Sequence, residues 1–174
     1  MKKNNIILIG MPGVGKSSVG VILAKILGYR FLDSDLVIQE KEGKLLHEII
    51  SERGLEGFIS VENRINASIE CEKCIVATGG SAVYGHDAME HFKEIGAVVY
   101  LKSDYETIAN RLGDLAARGV AMKEGQTLKD LYEERVPLYE KYADIIVDES
   151  GCSSVRETIS KLLEETNYEK SIKK

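Results

Sequence analysis

The sequence predicts a three-layer α/β fold: a five-stranded parallel sheet with helices on both faces. Three observations carry that prediction. Short apolar runs alternate with amphipathic helical stretches, the pattern of βαβ units. The runs are continuously apolar rather than alternating, as strands covered on both faces require. Between the first run and the first helix lies Gly10-Met11-Pro12-Gly13-Val14-Gly15-Lys16-Ser17, which fills every fixed position of the phosphate-loop pattern G-x-x-x-x-G-K-[ST].

The elements follow in order. Residues 6–9 are apolar and mostly β-branched, a buried strand. Val19, Ile22, Leu23, Ile26 and Leu27 then have helical spacing. A short extended segment, 30–32, ends at Asp33-Ser34-Asp35, where Ser34 or Asp35 could serve as a helix N-cap. Largely polar helices fill 36–53, and another runs from 58 to 70. Residues 74–78 form the third strand, closed by Gly79-Gly80. Strands at 97–101 and 145–148 complete the sheet, with helices near 87–93, 104–112, 127–141 and 154–165. Gly113, Gly119 and Gly125 punctuate 113–126, which also holds Arg118 and Lys123 and reads as a mobile lid. The Lys-rich tail, 168–174, is expected to fray.

A chain of 174 residues is expected to form one domain over 1–174 with a sizeable core. Its net charge of -5 argues against a general nucleic-acid binder. No apolar run is long enough to span a membrane, and the N-terminus has no small-residue cleavage site. A cytoplasmic location follows as the expectation. No heptad seam demands a partner helix, so a monomer is expected. Three cysteines do not make a disulfide framework. Cys71 and Cys74 form a C-x-x-C without a second ligand pair for zinc, and read as buried or half-buried thiols at a helix-to-strand junction.

The chemistry concentrates at the carboxyl ends of the strands, where ligands of such sheets bind. Glycines let the loop backbone turn its N–H groups inward as an anion nest, and the following helix adds its positive end. Lys16 supplies a point charge for the outer phosphates, and the Ser17 hydroxyl can ligate Mg2+. Asp33 and Asp35, at alternate positions near a strand end, point the same way and suit a metal or a hydroxyl substrate. A different reading takes 145–149, an apolar run ending in Asp148-Glu149, as the metal-binding strand of a nucleotide-binding module that hydrolyses without an acceptor. No Asn-Lys-x-Asp guanine-reading motif is present.

Taken together, these residues resemble the shikimate kinases, within the nucleoside-monophosphate-kinase-like group. The resemblance covers nearly the whole chain. It rests on the phosphate loop, Phe31-Leu32-Asp33-Ser34-Asp35, the segment holding Gly54, Gly57, Phe58 and Glu62, Ala77-Thr78-Gly79-Gly80, Arg118, and Arg135-Val136-Pro137-Leu138-Tyr139. It implies a P-loop kinase with a lid, ATP and Mg2+ as cofactors, and a role in aromatic amino acid biosynthesis. The acceptor would be a small hydroxyl compound, held partly by helices over about 36–70. Gly13, Val14, Gly15, Lys16, Ser17 and Ser18 would cradle the nucleotide, with Arg111 near the adenine. Ser17 and Asp33 would hold the metal. Asp35 would orient the acceptor hydroxyl and take its proton, Gly80 would offer it a backbone N–H, and Arg135 would bind its carboxylate. Lys16 and Arg118 would neutralise the transferring phosphoryl group.

Three positions depart from the family pattern. Ile59 stands where the family has a second carboxylate-binding Arg, Ser81 where it has a third consecutive glycine, and Gly119-Val120 where Pro-Leu follows the lid arginine. Glu62, which pairs with that Arg in the family, then faces the pocket alone, with Arg64 as a candidate substitute. The altered acceptor half leaves room for another hydroxy acid or a polyol in place of shikimate.

Overall fold

The computed structural model describes residues 4–112 and 120–166. Five strands form one sheet: β1 (Asn5–Ile9), β2 (Arg30–Asp33), β3 (Cys74–Ala77), β4 (Gly96–Lys102) and β5 (Ile145–Asp148). Their order is β2-β3-β1-β4-β5, and every pairing is parallel. Isoleucine and leucine fill the centre because β1 is covered on both faces: Ile6, Ile7, Leu8 and Ile9 are all fully buried. Each such side chain contributes about 1.5–3 kcal/mol relative to exposure.

Among the described residues, seven α-helices connect and flank the strands: α1 (Lys16–Leu27), α2 (Ser34–Glu42), α3 (Leu46–Asn66), α4 (His86–Ile95), α5 (Tyr105–Leu112), α6 (Leu128–Tyr142) and α7 (Val155–Glu165). The chain moves one way across the sheet from β1 to β2, and the other way from β2 to β3, β3 to β4 and β4 to β5. Right-handed crossovers therefore put α1 on one face and α3, α4 and α6 on the other. The packing agrees: α1 meets α7, while α3 meets α4. The reversal beside β1 makes its carboxyl end the topological switch point, where the phosphate loop lies.

The structure revises the sequence reading locally. The later part of the helical stretch expected in 36–53 and the helix expected at 58–70 meet as one run, α3, which ends at Asn66. A break at Gly54, with φ +70° and ψ 177°, divides it. Only glycine adopts that conformation cheaply, so the turn of chain entering Phe58 changes direction there. A 3-10 turn at Ala82–Tyr84, unforeseen, follows Ser81. The N-cap of α2 is Asp33 rather than Ser34 or Asp35; its Oδ1 accepts from the Asp35 N–H at 3.0 Å. Residues 113–119 and the tail 168–174, and with them Arg118 and the first half of the expected lid, lie outside the described residues.

Candidate active site

The phosphate loop begins where β1 ends. Gly15 at φ +103° caps α1 in a conformation that side chains disfavour, and aims the first N–H groups of the helix into the loop. Lys16 is 8% exposed, its ammonium donating to the carbonyls of Gly10 (2.8 Å) and Met11 (2.9 Å). Burial lowers its pKa to about 8, against the opposing pull of Asp35. A phosphate arriving in the loop would favour the charged form again.

Asp33 turns its second oxygen to Ser17, whose hydroxyl donates to Oδ2 at 3.0 Å. One hydroxyl and one carboxylate, both hard oxygen donors at the mouth of the loop, fit a Mg2+ ion that completes its shell with phosphate oxygens and water. Among the described residues no cluster of three His, Cys, Asp or Glu could hold a metal unaided.

A cleft of about 400 Å³ joins this loop to the acceptor side, lined by Lys16, Ser17, Asp35, Gly79 and Gly80. Asp35 is raised to about 6, first by burial and then by Asp33, with Lys16 opposing. Gly80 packs between Pro12 and Arg135: a Cβ there would stand 2.7 Å from Pro12 Cδ and 3.0 Å from Arg135 Nη1. A Cβ on Gly79 would stand 2.6 Å from Glu62 Oε1 and 2.7 Å from Asp35 Oδ1. The two carboxylates thus face one another across a gap that only glycine leaves open.

Arg135 is the largest fully buried side chain, 1% exposed. Its Nη2 donates to the Ala121 carbonyl and its Nε to the Tyr84 hydroxyl at 3.3 Å, with the Tyr84 ring 5.3 Å from its Cζ. Among the described residues no carboxylate forms an ion pair with it. A buried guanidinium so placed favours an incoming carboxylate. Glu62 is equally buried, and neither of its oxygens has a hydrogen-bond partner of normal geometry. Burial raises it to about 7; Ser81 alongside, Arg135 and Lys16 lower it, and Asp35 adds to the rise.

A second cavity of about 880 Å³ has Arg53, Ile59, Tyr84, Ala121, Lys123 and Glu134 in its wall. Arg64 does not reach it. Its side chain is 63% exposed and pairs outward with Glu42 at 2.6 Å. The cations that share this wall with Ile59 are Lys123 and Arg53, and spacing gave no reason to choose Arg53. Arg53 donates to the other oxygen of Glu42 at 2.8 Å, and a Cβ on Gly57 would meet its Cβ at 2.6 Å. Ala121 was also illegible: it packs with Ile38, Ile49 and Phe58, in a small core separate from that of the sheet.

The nucleotide side carries a third cavity of about 350 Å³, lined by Gly13, Val14, Gly15, Ser18 and Arg111. Arg111 donates to the Val14 carbonyl (3.2 Å) and to Glu149 (3.3 Å). Glu149 is thereby engaged at the edge of the sheet, and the carboxylate next to Ser17 is Asp33. That placement counts against 145–149 as the metal strand.

The family model for shikimate kinase matches residues 12–167. A shikimate kinase of Persephonella marina is 36% identical over 150 residues, covering 86% of this chain and 91% of that protein. One from Francisella tularensis subsp. novicida is 36% identical over 174 residues, covering 95% and 98%. Among solved structures, the shikimate kinase of Acinetobacter baumannii in complex with shikimate superposes with a TM-score of 0.82. It is 33% identical and covers 94% of this chain and 92% of its own. The Aquifex aeolicus enzyme gives 0.80 at 29% identity, covering 95% and 97%. The chain belongs to the shikimate kinase family.

Proposed function

We propose that this chain transfers the γ-phosphoryl group of ATP to a hydroxyl of shikimate, with Mg2+ as the metal. The observation that carries this reading is a single cleft lined by Lys16, Ser17, Asp35 and Gly80, with the buried Arg135 packed against Gly80. ATP supplies the reactive phosphoryl group; the chain positions and neutralises. The loop N–H groups and Lys16 hold the phosphates, Ser17 and Asp33 hold Mg2+, and Arg111 stands at the nucleotide cavity. Arg135 receives the carboxylate and Gly80 the ring, and Asp35 orients the hydroxyl and accepts its proton. Arg118 is assigned, from the family resemblance alone, to the transferring group. The same reading carries a cytoplasmic monomer with no nucleic-acid or membrane partner.

Ile59 favours one second reading, an acceptor with fewer anionic contacts, such as a polyol or another hydroxy acid. A coupled ADP-release assay separates the two. Shikimate, quinate, gluconate, nucleoside monophosphates and a no-acceptor control are compared at equal concentration. Turnover led by shikimate is the expected result. Gluconate or quinate ahead of shikimate would establish the second reading, and equal turnover without acceptor would overturn both.

A further inference from the structure

The C-x-x-C lies at the opposite end of the sheet from the active site, in the connection between α3 and β3. Its conformation is built rather than loose. The buried side-chain amide of Asn5 clamps both ends: Nδ2 donates to the Cys71 carbonyl at 3.0 Å, and Oδ1 accepts from the Cys74 N–H at 3.0 Å. The same amide also donates to the Ile95 carbonyl at 2.9 Å, which fixes it to the start of β4. Lys73 adopts the left-handed conformation at φ +48°, and its carbonyl accepts from the Arg30 N–H at 2.8 Å. A non-glycine residue rarely takes that conformation unless its surroundings hold it there. The result is a tight turn with a half-buried thiol, Cys71, at the surface and a buried one, Cys74, beneath it.

We propose that Cys71 and Cys74 form a thiol–disulfide exchange site, with Cys71 as the attacking sulfur, Cys74 as the resolving sulfur and small-molecule disulfides as the substrate class. Access decides the order of attack, because only Cys71 reaches solvent. The neighbouring Cys74 thiol lowers the Cys71 pKa and Arg30 lowers it further, while Cys71 and burial raise that of Cys74, whose thiol donates to the Ile75 carbonyl at 3.6 Å. In the first step the Cys71 thiolate attacks one sulfur of the disulfide RSSR, forming a Cys71–SR mixed disulfide and releasing RS–. Cys74 then gives up its proton and attacks the Cys71 sulfur, closing the intramolecular disulfide and expelling the second RS–. The two cysteines lose two electrons and RSSR gains them, leaving two RSH. Closing so short a loop removes little chain entropy, so the bond serves poorly as a structural staple and suits reversible exchange.

The full-length reduced protein, incubated with glutathione disulfide and analysed by mass after acid quench and alkylation, tests this. The expected product has lost two hydrogens, maps to the Cys71–Cys74 peptide, carries no glutathione and reverts with dithiothreitol. Cys74→Ser is expected to accumulate one glutathione on Cys71, and Cys71→Ser none on Cys74. Both variants carry Cys152→Ser, because Cys152 lines the nucleotide cavity. A stable glutathione adduct on Cys71 in the wild type, or two freely alkylated thiols, overturns the proposal. Should either variant fail to fold, competitive alkylation of the wild type decides. Cys71 is expected to be modified before Cys74, and the reverse order refutes the assignment.

Discussion

The nucleotide half and the acceptor half of the cleft are made of different materials. The phosphate loop is mostly backbone, and its one buried charge, Lys16, finds two carbonyls within 2.9 Å. The acceptor half is mostly side chains drawn from α2, α3, the 79–84 turn and α6. There Arg135 has no carboxylate partner among the described residues, and Glu62 has no hydrogen-bond partner of normal geometry among them. A backbone-built site tolerates change at almost any side chain around it. A side-chain-built site changes character when one partner is replaced, as at Ile59. Removing an arginine from a buried pair raises the pKa of the acid left behind, and the Glu62 carboxyl is pushed up to about 7, first by burial.

The sharpest way to break this comparison is Asp35→Asn, which touches only the acceptor half. Transfer is expected to fall by about 10²–10⁴-fold, the usual contribution of a positioned base, while ATP binding measured by calorimetry stays unchanged. Retained transfer would remove Asp35 from the proton-accepting role. Loss of ATP binding would show that the two halves are not separable.

Glu62 offers a test through stability. Its pKa rises from 4.5 to about 7 on folding, so the folded protein holds the proton more tightly than the unfolded chain. That linkage favours folding at pH below 4.5 and is lost as pH rises to about 7, a cost on the order of 3 kcal/mol at higher pH. Glu62→Gln, which cannot ionise, is expected to abolish this component. The difference in melting temperature between variant and wild type should grow in the variant's favour between pH 4.5 and 7. A difference independent of pH would mean that Glu62 is ionised and paired.

The contrast in materials also explains what could be read in the sequence. Strand positions were legible to within a residue or two, because a parallel sheet buried on both faces demands unbroken apolar runs. The phosphate loop was legible because its ligands are contiguous in sequence. The acceptor wall was not. Arg64 was a candidate substitute beside Glu62 even though residues two apart on a helix do not face each other, and the structure leaves it facing out to Glu42, while Arg53, just before the break at Gly54, stands along the cavity. The packing of Ala121 against Phe58 joins residues far apart in sequence, and no local period announces it. Asp33 capping α2 was missed because one of its oxygens caps while the other reaches Ser17, a double use that spacing does not reveal.

Restoring the family's cation sharpens the comparison. A charge-assisted hydrogen bond contributes roughly 1.5–3 kcal/mol, so Ile59→Arg is expected to lower the KM for shikimate by about ten- to a hundred-fold. It should leave the KM for ATP unchanged. The new guanidinium would also give Glu62 a partner and pull its pKa back down, so the pH-dependent component of stability should shrink in the same variant. Tighter shikimate binding without that change would mean that the arginine points into the cavity and away from α3.

The smallest expected effect separates the two arginines that share Glu42. Arg53 and Arg64 each hold one carboxylate oxygen, at 2.8 and 2.6 Å, and both side chains are largely exposed, at 47% and 63%. Either pair contributes about 0–1 kcal/mol to stability, so Arg53→Met and Arg64→Met should melt within a few degrees of the wild type. Their positions differ in one respect: Arg53 is in the wall of the cavity that holds Ile59, and Arg64 is not. If Arg53 supplies part of the positive field lost at position 59, Arg53→Met should raise the KM for shikimate a few-fold, and Arg64→Met should leave it unchanged. The effect of Arg53→Met should weaken with added salt, because an exposed cation acts through screened charge. It should also disappear in the Ile59→Arg background, where the carboxylate has a closer partner. Equal effects from both arginines would trace the change to Glu42 and the packing of α2 on α3 rather than to the acceptor cavity.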